Sequence, residues 1–177
     1  MTVIHSFPPL AKPDARILIL GSMPGKASLQ ANEYYAYARN AFWKIMQSLL
    51  NLDADLSYAA KCAALCSSQI AVWDVLKSCT RTTSLDSDIV ESSIVPNDLR
   101  KFFAAHRHIR AIYFNGAKAA GTYHRYVLPN LPVTMATLPA VRLPSTSPAN
   151  ASLRFEEKLE KWQAIVSTLA TGATNAE

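Results

Sequence analysis

Residues 16–28, RILILGSMPGKAS, decide the fold of this chain. Residues 17–20 form an unbroken apolar run, which is typical of a strand buried on both faces of a parallel sheet. The run ends at Gly21, and a loop with a second glycine and a proline follows. In α/β proteins such loops hold the functional groups. Residues 21–25 contain no acid, histidine or cysteine, so the reactive group has to lie elsewhere.

The rest of the chain alternates between strand-like and helix-like patterns. Short apolar runs at 69–76, 110–115 and 132–138 join 16–23 as predicted strands. Helices are predicted near residues 42–50, 99–103, 117–126 and 152–169. The alternation predicts an α/β fold, a three-layer αβα sandwich around a central, mostly parallel four-stranded sheet. We expect a single domain over residues 1–170 and a flexible tail at 171–177.

Composition narrows the classes of function. The 177 residues carry a formal net charge of +5, which favours anionic partners, nucleic acid foremost. No apolar run approaches the roughly 18 to 20 residues that a membrane helix needs. The N-terminal sequence MTVIHSFPPL is unlike a secretory signal, so we expect a cytoplasmic protein. Three cysteines form neither a disulfide framework nor a four-ligand metal set, and we expect no metal.

The loop that opens at Gly21 could be mistaken for a phosphate-binding P-loop. Its spacing is one residue too short, and Ala27 stands where magnesium coordination requires a hydroxyl. Pro24 also removes an N–H that a phosphate cradle would use. The sequence therefore argues against a nucleotide triphosphatase.

Residues 34–43, YYAYARNAFW, are the most distinctive part of the same loop. Aromatic rings can stack on a base, and Arg39 is suited to bind a phosphate. Asn40 can orient a water molecule or form a hydrogen bond with a base edge. The alternative is that Phe42 and Trp43 belong to the core and that Asn40 only caps the following helix. For Asn40 the two functions are compatible.

Residues 143–150, LPSTSPAN, place three hydroxyl side chains between two prolines. Ser147 is predicted as a helix N-cap with Pro148 at the first helical position. Backbone N–H groups at such a terminus can hold a phosphate, so this loop is a candidate DNA-gripping segment.

Taken together and in this order, GSMPG, YY..ARNAFW, VWDVL followed by LDSDI, FNG.KA and LPSTSPAN resemble the uracil-DNA glycosylase superfamily. The resemblance covers about residues 16–150 and is strongest to the hypoxanthine-DNA (deoxyinosine) glycosylase branch, family 6. In other branches the third loop position is often a catalytic Asp or Asn, and here it is Met23. The resemblance instead implies that Asn40 is the catalytic residue.

The resemblance also implies the remaining site residues. Asp74 corresponds to a base-reading position after the second strand, although it could instead orient the loop that continues to Arg81. The implied base-binding residues are Gly21, Ser22, Met23, Tyr35, Phe42, Asp74 and Asn115. The predicted DNA-binding residues, which belong to segments that offer backbone N–H groups, hydroxyls or positive charge, are Pro24, Gly25, Arg39, Arg142, Ser145, Thr146 and Ser147.

The implied activity is that of a monofunctional DNA glycosylase that removes hypoxanthine from DNA in base-excision repair. A uracil- or mismatch-specific glycosylase, an inactive DNA-binding protein of the same fold and a nucleotide-binding module are the alternatives. The expected partner is double- or single-stranded DNA with a deaminated base, no membrane and no cofactor are expected, and the chain is expected to be a monomer.

Overall fold

The computed structural model describes residues 2–171, so all but the first residue of the predicted tail lies outside the described residues. The strands are β1 Val3–His5, β2 Ile17–Gly21, β3 Ile70–Asp74, β4 Leu76–Thr80, β5 Val95–Pro96, β6 Ala111–Asn115 and β7 Ala140–Leu143. The helices are α1 Lys26–Ala31, α2 Phe42–Leu50, α3 Tyr58–Ser67, α4 Leu99–Ala105, α5 Ala117–Thr122, α6 Val133–Ala136, α7 Phe155–Trp162 and α8 Ala164–Ala170. A π-helical turn, Tyr123–Val127, extends α5.

The main sheet has the strand order β3-β2-β6-β7, and all its neighbours pair in parallel. Every residue of β2 is buried. Because side chains alternate between the faces of a strand, Leu18 and Leu20 pack into one core with α4 and α5. Ile17 and Ile19 pack into the other core with α2 and the C-terminal helices. The predicted three-layer αβα sandwich is confirmed.

The fourth strand differs from the prediction. Residues 132–138 contain α6, in which the N–H groups of Met135 and Ala136 bond the Pro132 carbonyl. Pro132 is the N-cap residue of α6, where its missing N–H costs the helix no hydrogen bond. The true strand, β7, begins at Ala140 and lies at the sheet edge, where only Leu143 is buried. An exposed edge strand has no continuous apolar run to reveal it.

A second, antiparallel sheet of order β1-β4-β5 was not predicted. Its central strand β4 follows β3 after a single residue, Val75, so the predicted strand 69–76 spans two sheets. Leu76 and Cys79 of β4 pack with Met23 and Ile89 in a small core of their own. This sheet supports the loop after Gly21 and the segment that follows β4.

The C-terminal helical region begins later than predicted and is divided. Helix α7 starts after Arg154, whose N–H bonds the Glu157 carboxylate at 2.7 Å, and Gln163 separates α7 from α8. Ser147 and Pro148 therefore do not start a helix. The Ser147 hydroxyl instead accepts the Ala149 N–H at 3.2 Å and closes a local turn. Within residues 2–171 no helix combines the length and apolarity required to cross a bilayer.

Candidate active site

A cleft of about 1730 Å³ opens at the carboxyl edge of the main sheet. It is built from the loops that follow β2, β4, β6 and β7, which is where ligands bind in open α/β sheets. The cleft brings together every sequence-predicted site residue except Phe42: Gly21, Ser22, Met23, Pro24, Gly25, Tyr35, Arg39, Asn40, Asp74, Asn115, Arg142, Ser145, Thr146 and Ser147. Residues far apart in sequence thus line one cavity.

Phe42 lies beneath the cleft rather than in it. Its side chain is fully buried in the α2 core, and its ring stacks on Tyr35 with 3.9 Å between centroids. This corrects the expectation that Phe42 contacts a base. Phe42 thus supports Tyr35, which lines the cleft together with Tyr34 and Tyr37.

Asn40 precedes Ala41, the N-cap residue of α2. Its side-chain carbonyl accepts the Phe42 N–H at 3.0 Å, which fixes the amide beside the first helical turn. A carbonyl oxygen has two lone pairs, so the Asn40 oxygen can accept one more hydrogen bond. Asn40 is therefore not the predicted N-cap, but it bonds the first turn of α2 and its oxygen can still accept a hydrogen bond from a water molecule in the cleft.

The Met23 side chain packs into the small core with Leu76, Cys79 and Ile89, and only 6% of it is exposed. A thioether at this position anchors the loop by apolar contact, and it cannot act as a base. The neighbouring Ser22 hydroxyl is also engaged, because it donates to Asp86 at 2.7 Å. Residues 21–25 therefore shape the cleft without supplying a reactive side chain.

The floor of the cleft requires glycine at position 21. A Cβ there would lie 2.5 Å from Asp74 Oδ1 and 3.0 Å from the Tyr35 hydroxyl. The sheet register sets Gly21 directly beside Asp74. Glycine thus makes room for a carboxyl and a phenol at one point of the floor.

Asp74 is buried, and its pKa is raised from 3.8 to about 7. Burial is the main cause, since a low-dielectric environment disfavours the charged carboxylate. The nearby Asp86 carboxylate raises the pKa further, whereas the Arg81 guanidinium lowers it. At neutral pH Asp74 is therefore present in both its acidic and its ionised form.

Asn115 connects the loops that follow β6 and β7. Its carbonyl accepts the Thr146 N–H at 2.9 Å, and its amide donates to the Thr146 hydroxyl at 2.9 Å. The second amide N–H can still donate to a ligand. Next to it, Gly116 has a φ of 98° and would bring a Cβ within 3.0 Å of Ser145, so glycine is required for this close approach.

Lys158 of α7 holds the 143–150 loop from below. Its ammonium group donates to the Asn150 carbonyl at 2.8 Å and to the Ser147 carbonyl at 3.5 Å. Burial lowers the pKa of Lys158 from its usual value. A buried lysine, and not a helix N-terminus, therefore fixes the shape of this predicted DNA-gripping segment.

Sequence reasoning missed the side chains of the segment after β4. Asp86 lines the cleft, and Arg81 is buried and donates to the Pro24 carbonyl. Desolvation of its carboxyl raises the pKa of Asp86 and the Ser22 hydrogen bond opposes the shift, although the residue as a whole is exposed. The LDSDI segment was visible as a motif, but its contact with Ser22 spans 64 positions. A local pattern contains no signal for such a contact.

The mouth of the cleft is basic. Besides the predicted Arg39 and Arg142, its lining includes Lys26, Lys118 and Lys161. Lys118 is paired with Glu91, and Arg39 and Arg142 are exposed. Exposed cations around an opening attract a polyanion, and serine hydroxyls between them can bond phosphate oxygens.

Residues 8–169 match the sequence model of the Uracil DNA glycosylase superfamily. A Methanosarcina acetivorans protein named hypoxanthine DNA glycosylase is 33% identical over 164 residues, covering 91% of this chain and 96% of that protein. A protein of the same name from Methanosarcina barkeri is 32% identical over 116 residues, covering 65% of this chain and 72% of its own. The solution NMR structure of a candidate uracil DNA glycosylase from M. acetivorans superposes with a TM-score of 0.78 at 29% identity, over 96% of this chain and 99% of the other.

Proposed function

The chain belongs to the uracil-DNA glycosylase superfamily, and we propose on that premise that it is a monofunctional DNA glycosylase that hydrolyses the N-glycosidic bond of deoxyinosine. The observation that carries the proposal is that Asn40, Asp74 and Asn115 line one cleft with a basic mouth. The hypoxanthine DNA glycosylases of Methanosarcina support this choice of base. The activity belongs to base-excision repair of DNA.

In the proposed mechanism Asn40 positions the attacking water. Its carbonyl is held by the Phe42 N–H, so the remaining lone pair has a fixed direction. A neutral amide is a poor base, and the sugar passes through an oxocarbenium-like state before water adds. The rate then depends on placing the water and on stabilising the departing base, which carries the growing negative charge.

The loops around the cleft are proposed to grip the strand that carries the target nucleotide. Residues 21–25 and 143–150 lie on the cleft wall and offer backbone N–H groups and hydroxyls. Asn115 and Lys158 fix the second of these loops from two sides. A strand held at phosphates on both sides of one nucleotide is suited to base extrusion, which costs a few kcal/mol.

Two apolar side chains on the cleft lining are suited to the gap that an extruded base leaves. Tyr37 is 47% exposed and Leu85 is 49% exposed, and they belong to different loops. Proteins that unstack DNA commonly insert apolar wedges between base steps. We expect Leu85 or Tyr37 to enter the duplex in this way.

The test uses duplex oligonucleotides with a single inosine, uracil or xanthine, incubated with excess protein and then cleaved with alkali at any abasic site. The proposal expects strand cleavage at inosine. Cleavage at uracil alone would support the alternative of a uracil-specific enzyme, which the name of the M. acetivorans NMR structure favours. DNA binding without cleavage of any substrate would support the inactive binding protein, for which Met23 is the favourable feature.

We also propose that residues 1–170 form one domain and that the protein is a monomer in the cytoplasm. Size-exclusion chromatography with light scattering tests the monomer, with a mass near 19.4 kDa as the expected result. A mass of twice that value contradicts it.

A further inference from the structure

The floor of the cleft contains two buried polar atoms without a partner. Within residues 2–171, neither the Tyr35 hydroxyl nor Asp74 Oδ2 makes a hydrogen bond of normal geometry, although the nearby Asn115 side chain acts on the Tyr35 hydroxyl and opposes the rise of its pKa. Leaving one such group unsatisfied destabilises the folded protein. Both residues line the cleft. At a binding site, such unsatisfied groups are explained if the substrate supplies their hydrogen-bond partner.

The two groups converge and are held in place. Both approach the position that a Cβ of Gly21 would occupy, at 2.5 Å for Asp74 Oδ1 and 3.0 Å for the Tyr35 hydroxyl. Tyr35 has a φ of 56°, a left-handed conformation that costs free energy in a non-glycine residue. Its ring is fixed by stacking on Phe42. The site thus orders both groups before any base is bound.

The surrounding charges determine which acid keeps a proton. Asp86, Arg81 and the phenols of Tyr34 and Tyr35 are the titratable groups that act on Asp74. Asp86 receives the Ser22 hydrogen bond and the attraction of Arg81 and Lys118, all of which favour its ionised form. Asp74 is buried whereas Asp86 is exposed, so Asp86 ionises at a lower cost and its charge then disfavours ionisation of Asp74. Asp74, whose Oδ2 has no such donor, is the member of the pair that keeps its proton to the higher pH.

We propose that the Tyr35 hydroxyl and the protonated Asp74 carboxyl form a donor pair that binds the carbonyl oxygen of the departing base. This inference rests on the proposed glycosylase function. As the bond from the sugar carbon to the base nitrogen breaks, its electron pair moves to the base and is delocalised onto that oxygen. Both donors keep their protons, and the water held by Asn40 adds to the sugar carbon and loses its proton to solvent.

A neutral carboxylic acid beside a phenol is an effective binder of a developing oxyanion in an apolar site. An ionised Asp74 would repel the departing anion and slow bond cleavage. The pair favours hypoxanthine over adenine, because the hypoxanthine carbonyl oxygen can accept both hydrogen bonds whereas the adenine amino group at that position can accept neither.

The experiment is a single-turnover measurement of base release from an inosine duplex between pH 5.5 and 8.5, with wild-type protein and Asp74→Asn. The wild-type rate falls about tenfold per pH unit above pH 7 as the acid loses its proton. The variant is slower at pH 5.5 because an amide is the weaker donor, and its rate does not fall with Asp74 ionisation. The ratio of variant to wild-type rate therefore rises with pH, and titration of the substrate cancels in that ratio.

Two further variants give independent readouts. Asp86→Asn removes the neighbouring negative charge, so the falling limb of the profile moves to lower pH. Tyr35→Phe lowers the rate about 10- to 100-fold at every pH and keeps the shape of the profile. The inference is overturned if the ratio of the Asp74→Asn rate to the wild-type rate stays constant with pH. It is also overturned if the falling limb of the Asp86→Asn pH–rate profile lies at the same pH as that of wild type. If wild-type protein releases no base at any pH, the proposed function fails instead.

Discussion

Asp74→Asn should make the protein more stable at pH 8 and should lose this advantage in acid. The carboxyl is 4% exposed, and its pKa rises from 3.8 in the free residue to about 7 in the folded protein. The unfolded chain therefore releases this proton at lower pH than the folded chain, and stability falls as pH rises between these two values. The ionised folded form carries a penalty of about 4 kcal/mol above pH 7. An amide of the same shape avoids it.

The assay is urea unfolding of wild type and Asp74→Asn at several pH values, with Asp55→Asn as the control on an exposed carboxylate. We expect the variant to gain about 2 to 4 kcal/mol at pH 8. The gain should shrink by about 1.4 kcal/mol per pH unit below pH 7. The control should stay within about 0.5 kcal/mol of wild type. A gain that does not change with pH, or a loss at pH 8, refutes the reasoning that Asp74 is a raised-pKa acid.

Asn40→Ala should reduce single-turnover base release at least about 100-fold. Removal of the bond to the Phe42 N–H should cost about 0.5 to 2 kcal/mol of stability in urea. A rate near wild type would mean that Asn40 only stabilises the first turn of α2. Lys158→Met should loosen the 143–150 loop by removing the bond to the Asn150 carbonyl, which weakens DNA affinity in a fluorescence titration. The same titration with wild type should show affinity falling steeply as salt rises, and a flat response would exclude phosphate contacts. Leu85→Ala should slow release from duplex DNA about tenfold and leave release from single strands at the wild-type rate, and equal slowing on both substrates would contradict a wedge.

The sequence was sufficient to predict features that depend on neighbouring residues. The apolar run of β2 predicts a central parallel strand, and the glycine that ends it predicts the cleft beside it. Asn40 lies just before a strongly amphipathic helix, so its position at the first turn could be read directly. In these cases the residues that form the sequence pattern and the residues that they contact lie within a few positions of one another.

Features that depend on distant contacts were predicted poorly or not at all. Strand β7 is an edge strand with one buried residue, so its composition carries little signal. The turn at Ser147 is held by Lys158, which is eleven positions away, whereas the local sequence resembles a helix start. The partners of Asp74 come from β2 and from the segment after β4, and only the folded sheet brings them together.

The two central side chains are held in place by independent means. Asn40 is fixed by a hydrogen bond to a residue two positions away, whereas Asp74 is fixed by its register against Gly21 in the sheet. If the proposed roles hold, a substitution at Asp74 alters which base is accepted without moving Asn40, the residue proposed to hold the water. Evolution can change the lesion that such a scaffold recognises one residue at a time, with each intermediate still able to hydrolyse a glycosidic bond.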